Sequence, residues 1–197
     1  MMNRRYWRLF LASIPGLLLA IAGAVWSPTA SASTDRNGPK GPGLNCAYSL
    51  ETAAVRCFAT ATEAISFASG GTVAKAPSDF RDAVRDPKLT EQINNAKAPA
   101  VLIGVEYYLE NYGTPALYYY GSHSCTTTIS DVDYYSAPLP TVSGINWNNN
   151  IRSFAAYNNC WQRLYDYPNC TGTYYGYSGY SVDLGSFRDR AECIYWS

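Results

Sequence analysis

The stretch Leu164-Tyr-Asp-Tyr-Pro-Asn-Cys-Thr-Gly172 has the composition of a strand running into a tight hairpin. On a strand Tyr165 and Tyr167 point the same way, and Pro168, Asn169 and Gly172 supply turn chemistry. In outline it is Tyr165-x4-Cys170-x-Gly172. A Tyr-rich alternating run follows, then Phe187-Arg-Asp-Arg-Ala-Glu-Cys-Ile194; just upstream lies Trp147-Asn-Asn-Asn-Ile-Arg-Ser-Phe154. The same outline occurs earlier as Tyr107-x4-Tyr112-Gly113-Thr114, set between two strand-like runs, Val101–Leu109 and Ala116–Tyr120. Region 101–197 therefore reads as an internal duplication with a period of roughly 45–50 residues, in too few copies for a solenoid. Two copies suit one body in which two four-stranded Greek keys pack as a sandwich.

The outline aromatic-x4-aromatic-x-Gly resembles the hairpin signature of the βγ-crystallin Greek keys. In that family the aromatic pair pins a folded hairpin, and the Gly takes a backbone shape that a Cβ would forbid. The family closes each key with a loop of the type Asn/Asp-Asn/Asp-x-x-Ser/Thr-Ser. Asn148-Asn149-Asn150-Ile151-Arg152-Ser153 and Arg188-Asp189-Arg190-Ala191-Glu192-Cys193 stand where two such loops belong. The resemblance, which covers about 101–197, implies a mainly β protein with a double Greek-key, βγ-crystallin-like sandwich over 100–197; the residues before it read as a small α-rich segment with one hairpin over 44–98. The layout is also similar to that of secreted actinobacterial proteins grouped with the peptidase inhibitors of the βγ-crystallin type.

The chain departs from that pattern in places. In the first copy the Gly comes one place early and Thr114 takes its position. A β-branched residue tolerates a left-handed backbone poorly, so the first hairpin is expected to be reshaped. The resemblance also implies calcium, held by loop carbonyls and a hydroxyl at the fifth loop position. Here the fifth positions are Arg152 and Glu192. Arg152 brings no oxygen and adds a repelling charge, which disables the first site. Glu192 beside Asp189 leaves a degenerate second one. The expected ligands are Asn149, Asn150, Asp189 and Glu192, with weak calcium binding at most and no other cofactor. On the alternative reading these Asn and Asp residues form Asx turns that shape the loops by local hydrogen bonds.

Residues 1–32 have the layout of a secretory signal peptide: Arg4, Arg5 and Arg8, an apolar run from Leu9 to Val25, and Ala30-Ser31-Ala32 as a small-x-small cleavage site. The rival is an uncleaved anchor, for which the run is short. No other stretch has the length and apolarity of a membrane span. Removing the signal leaves 12 basic against 15 acidic residues, which argues against general nucleic-acid binding. Residues 33–43 read as a Pro- and Gly-rich linker.

All six Cys lie beyond the signal, and an even count in an exported chain reads as three disulfides with 15 conceivable connectivities. Cys46 and Cys57 flank a predicted hairpin and form the local pair. On the family pattern, Cys170 replaces the second aromatic of the hairpin and Cys193 the last Ser of the loop, departures that make sense together if they bond each other. Cys125 and Cys160 remain, one from each half. A zinc site is the rival reading; it lacks Cys-x2-Cys, and His123 is the only His.

Between 44 and 97, Leu44–Thr60 reads as two short strands around Glu51–Ala54. Thr62 is expected to cap a helix over 63–68 that Gly70 and Gly71 stop. Ser78 is expected to cap a second helix, and a third covers 88–96 with Leu89 and Ile93 on one side. Ser130–Pro140 reads as a loop. The α-rich piece over 44–97 is compatible with a separate domain, a propeptide or a lid.

Signals for catalysis are sparse. His123 beside Ser122 and Ser124 is a conceivable general base, but no nucleophile elbow, zinc-binding helix or phosphate loop accompanies it. Glu106, Glu110, Asp166, Asp183 and Asp189 are the candidate carboxylates, and a solvated surface is the favoured reading for them. Alternation puts about half of the strand Tyr residues outward. That suits either a recognition surface or a packed sandwich with hydroxyls at its rim. The expectation is a secreted, extracellular, non-enzymatic binding module. Its partner would be a secreted peptidase or another extracellular protein, met through loops near Ser122–Thr128 and Asn159–Thr173, with no nucleic acid and no membrane. The alternatives are a calcium-stabilised structural protein of the cell envelope or spore coat, and a toxin-like module of the same fold.

Overall fold

The computed structural model describes residues 44–96 and 99–197. The expected signal peptide over 1–32 and linker over 33–43 lie outside the described residues. The first hairpin is β1 (Asn45–Ser49) and β2 (Val55–Phe58), closed by the turn predicted at 51–54. Three short helices follow: α1 (Ala61–Ala68), α2 (Phe80–Arg85) and α3 (Pro87–Asn94). The first two begin a little away from the caps expected for them. Thr60 caps α1 in a reciprocal box with Glu63, whereas Thr62 donates instead to the Ala76 carbonyl, 2.8 Å away. Asp79 rather than Ser78 caps α2, and Asp86 caps α3 with Pro87 in the first turn, where its missing N–H costs nothing.

The remaining strands are β3 (Val101–Leu109), β4 (Gly113–Gly121), β5 (Tyr134–Ser136), β6 (Thr141–Val142), β7 (Ile145–Asn146), β8 (Ser153–Ala156), β9 (Gln162–Tyr165), β10 (Tyr174–Ser178), β11 (Tyr180–Ser181) and β12 (Cys193–Trp196). A 3-10 turn covers Gly185–Phe187. The strands make one six-stranded sheet, β11-β8-β3-β4-β1-β2, one four-stranded sheet, β10-β9-β12-β5, and the small ribbon β6-β7. All pairings are antiparallel except β1 with β4.

This order is that of two Greek keys, β3-β4-β5-β8 and β9-β10-β11-β12, each of which places its third strand in the other's sheet. The fold is thus mainly β, a βγ-crystallin-like double Greek key. The passage 130–140, expected as loop, contains one of the exchanged strands. β5 is only three residues long, and its pattern is set by pairing with β12, so local sequence gives it little signal.

Two apolar layers result. Between the sheets lie Trp147, Trp196, Phe154, Ile103, Leu117, Leu164 and Ile194. On the outer face of the larger sheet, Leu102, Val105, Tyr107 and Tyr118 pack against Ala64 and Ile65 of α1 and Leu89 and Ile93 of α3. Strand β3 is therefore buried on both faces over its first seven residues. The segment over 44–98 adds two strands to this sheet and covers it with its helices. Its short helices gain from that burial the stability they lack alone. Among the described residues no helix is long and apolar enough to cross a membrane.

Candidate functional site

The two hairpins and the two closing loops occupy equivalent places in the two keys. In the second hairpin β9 ends at Tyr165. Tyr167 does not continue the strand but turns back over Gly172, where an added Cβ would collide with the Tyr167 ring and the Asp166 carboxylate. Gly172 has φ +86°, and Cys170 is also left-handed at 59°. In the first hairpin the positive φ values fall at Asn111 (55°) and Tyr112 (61°) and spare Thr114. The reshaping expected of this copy is thus an earlier reversal. The Tyr107 and Tyr112 rings meet edge-on at 5.3 Å.

The sixth residue of each closing loop ties down its own hairpin. Ser153 accepts from the Tyr112 N–H at 3.0 Å and donates to the Leu109 carbonyl at 2.6 Å. At the matching positions Cys193 is disulfide-bonded to Cys170, with Cα atoms 5.2 Å apart. The other disulfides are Cys46–Cys57 and Cys125–Cys160, so the structure joins the three pairs set out above.

The loops also lock each other. The Asn149 N–H donates to the Ala191 carbonyl at 2.8 Å and the Asp189 N–H to the Ile151 carbonyl at 3.1 Å, both from left-handed residues. Their side chains cross in the same way. The Arg152 guanidinium holds the Asp189 carboxylate, and the Asn149 amide donates to Glu192 at 2.7 Å. Asn150 turns into its own loop, donating to the carbonyls of Asn146 and Asn148. Of the four expected calcium ligands, Asn149 and Glu192 are brought together, Asp189 faces a cation, and Asn150 supports the loop. A guanidinium against Asp189 does not fit a second positive ion there. Among the described residues no three His, Cys, Asp or Glu side chains gather in a metal-holding group.

The candidate catalytic groups have structural partners. His123 stacks on Tyr134 with ring centroids 4.9 Å apart, and its Nδ1 lies 3.0 Å from the Ser124 carbonyl. A carbonyl only accepts, so Nδ1 carries the proton. Glu110 faces Arg188 and Arg152, Asp166 is paired with Arg190, and Asp183 with Arg188. Glu106, expected on a solvated surface, is instead fully buried between the sheets. Burial pushes its carboxyl up to about 8, opposed only by the Gln162 side chain.

An exposed loop joins β4 and β5. Its base is held at several points. Ser122 N–H donates to Glu51, and the Tyr134 hydroxyl bridges the His123 N–H and carbonyl. Cys125 is bonded to Cys160 and donates its N–H to the Asn158 carbonyl. Asp133 accepts from both the N–H and the hydroxyl of Thr126. From this base the tip presents Ile129, 56% exposed, beside Trp161, 51% exposed. Thr126–Ile129, Asn159, Trp161 and Tyr177 line a groove of about 580 Å³ whose lining side chains carry no charge. The Cys125–Cys160 bond joins its two rims. The expected loops Ser122–Thr128 and Asn159–Thr173 meet here, and Ile129 lies just past the first. An apolar residue in a Thr- and Ser-rich loop gives no periodic signal.

No protein-family model matches the chain, and no curated protein matches it. Among solved structures, a βγ-crystallin domain from Clostridium beijerinckii is similar in two variant forms, a single and a double mutant. Each is 15% identical with a TM-score of 0.36, covers 48% of this chain, and is itself covered over 95% and 94% of its length. The architecture itself is visible in this chain's own strand order, with two Greek keys exchanging their third strands and two loops crossing between them.

Proposed function

We propose that the chain is an exported, non-catalytic binding protein that engages a secreted peptidase through the loop over 122–133. The observation that carries this reading is Ile129, an apolar side chain held out at the tip of a loop whose base is fixed by a disulfide and by Asp133. A loop ordered beforehand loses little entropy on docking, and an exposed β-branched side chain is a fitting anchor for a pocket. Three disulfides suit an oxidising compartment, which supports export. The pairing of Glu110, Asp166, Asp183 and Asp189 with Arg residues supports a non-catalytic role.

The test is titration of the oxidised chain against secreted serine, cysteine and metallopeptidases. Stoichiometric inhibition of at least one is expected. Ile129→Glu should weaken it by on the order of a hundredfold without changing the melting temperature. Full peptidase activity across the panel at micromolar protein overturns the inhibitor reading.

A further inference from the structure

The two sheets differ in what covers them. The larger has helices on its outer face. The outer face of β10-β9-β12-β5 carries Tyr174 and Tyr177 (β10), Arg163 and Tyr165 (β9), Tyr195 (β12) and Tyr135 (β5). Cross-strand register places Tyr135 opposite Tyr195, Tyr195 opposite Arg163, and Tyr165 opposite Tyr174. The Tyr165 ring meets Tyr195 edge-on at 5.2 Å and Tyr174 at 5.9 Å, so these three rings are in contact, and Tyr135 extends the row in register. Its ends are open: Tyr135 is 63% and Tyr174 54% exposed.

Arg163 stands within this face. Its guanidinium carbon lies 4.7 Å from the Tyr174 ring centre and 4.1 Å from that of Tyr177, and Nη1 reaches the Tyr165 hydroxyl at 3.4 Å. In the same body Arg152, Arg188 and Arg190 each pair with a carboxylate, whereas among the described residues Arg163 is in no ion pair. The rings hold the cation in place without neutralising it.

We infer that this face binds an acidic polysaccharide, a chain of pyranose rings that carry carboxylates. Each part of the chemistry matches. The electron-rich faces of Tyr attract the polarised C–H faces of sugar rings, and the phenol hydroxyls at the rim suit sugar hydroxyls. A guanidinium offers a planar fork to a carboxylate. The surface is a sheet face exposed at Tyr135 and at Tyr174, which suits an extended polymer. None of the six side chains is aliphatic, unlike the apolar face of a membrane-surface element, and the cation without a carboxylate partner favours a ligand that brings its own carboxylates. This surface adjoins the Ile129 groove at Tyr177, its other five side chains lie outside that groove's lining, and the reading does not depend on peptidase inhibition.

The test is affinity electrophoresis and calorimetry of the oxidised chain with polygalacturonate. Fully methyl-esterified polygalacturonate has the same rings without charge, and poly-glutamate has the charge without rings. Binding to polygalacturonate alone is expected, falling as salt rises. Arg163→Gln and Tyr174→Ser are each expected to lower affinity on the order of tenfold. Ile129→Glu should leave this binding intact while weakening inhibition, which separates the two readings. Should Arg163→Gln disturb folding, Tyr135→Ser and Tyr174→Ser, both at exposed rings, carry the test. No binding to polygalacturonate, equal binding to poly-glutamate, or unchanged affinity in both Tyr variants overturns the inference.

Discussion

The Arg152 guanidinium lies 3.0 Å from the Asp189 carboxylate, joining the closing loops of the two halves. The related pair across the crossing is Asn149 with Glu192, at 2.7 Å. In each pair the fifth residue of one loop meets the second residue of the other. The crossing thus has its own positive charge at the place where the family resemblance implies a metal.

Arg152→Ser removes that charge and restores a hydroxyl at the fifth position. Both partners are partly exposed, so the loss is expected to be about 1 kcal/mol, or a few degrees in melting temperature. With Asp189 released, calcium in the millimolar range should recover part of that loss by linkage, while the parent protein responds little. Melting curves of both proteins with and without calcium measure this. A parent that gains several degrees at sub-millimolar calcium would show that Glu192 and Asp189 bind despite Arg152.

Glu106 makes stability depend on pH. Its folded-state carboxyl titrates at about 8, above the ordinary value near 4.3 for an unfolded chain. The unfolded state therefore releases its proton first. The stability present at low pH declines as pH rises between those two values and is lost by the time pH passes about 8. Glu106→Gln keeps the shape and removes the titration. Urea melts at pH 5 and pH 8 should show a fall of a few kcal/mol in the parent that is absent in the variant.

The Cys170–Cys193 bond replaces, in the second key, the hydrogen bond that Ser153 makes in the first. It closes a separation of 23 residues, so replacing both Cys by Ser is expected to cost about 3 kcal/mol. Hydrogen exchange should show faster opening of amides over 166–173, with the first hairpin little changed.

Gly104 marks where an indole approaches a strand. A Cβ placed there would lie 2.8 Å from Trp196 Nε1, which itself donates to Gln162 at 3.0 Å. Gly104→Ala should cost about 1–3 kcal/mol by overpacking and shift Trp196 fluorescence.

Much of this architecture is legible in the residues. Tyr165, Cys170 and Gly172 mark a hairpin, and Asn148–Ser153 and Arg188–Cys193 mark the closures. Other features depend on partners far along the chain. The parallel seam between β1 and β4 joins Cys46 to the level of Leu117, a pairing that neither segment specifies alone. Glu106 sits in a strand read as surface at that position, because the sequence does not show that helices cover one face and a second sheet the other. The Tyr residues are legible as strand formers, but the arrangement of Tyr174 and Tyr177 about Arg163 follows from an irregular register between β9 and β10. The helix caps were displaced by one or two residues because several adjacent Thr, Ser and Asp side chains compete for the same N–H groups.

The exchange of β5 and β11 between the sheets has a consequence for the history of the duplication. A solitary ancestral half would have had a vacancy beside its own strands and a surplus strand seeking one. Two identical copies satisfy each other's need by association, so fusion of their coding sequences would preserve a contact already present between separate chains. Each half of the present molecule completes the other's sheet. Co-expression of two fragments divided near residue 158 should therefore reconstitute what neither fragment forms by itself.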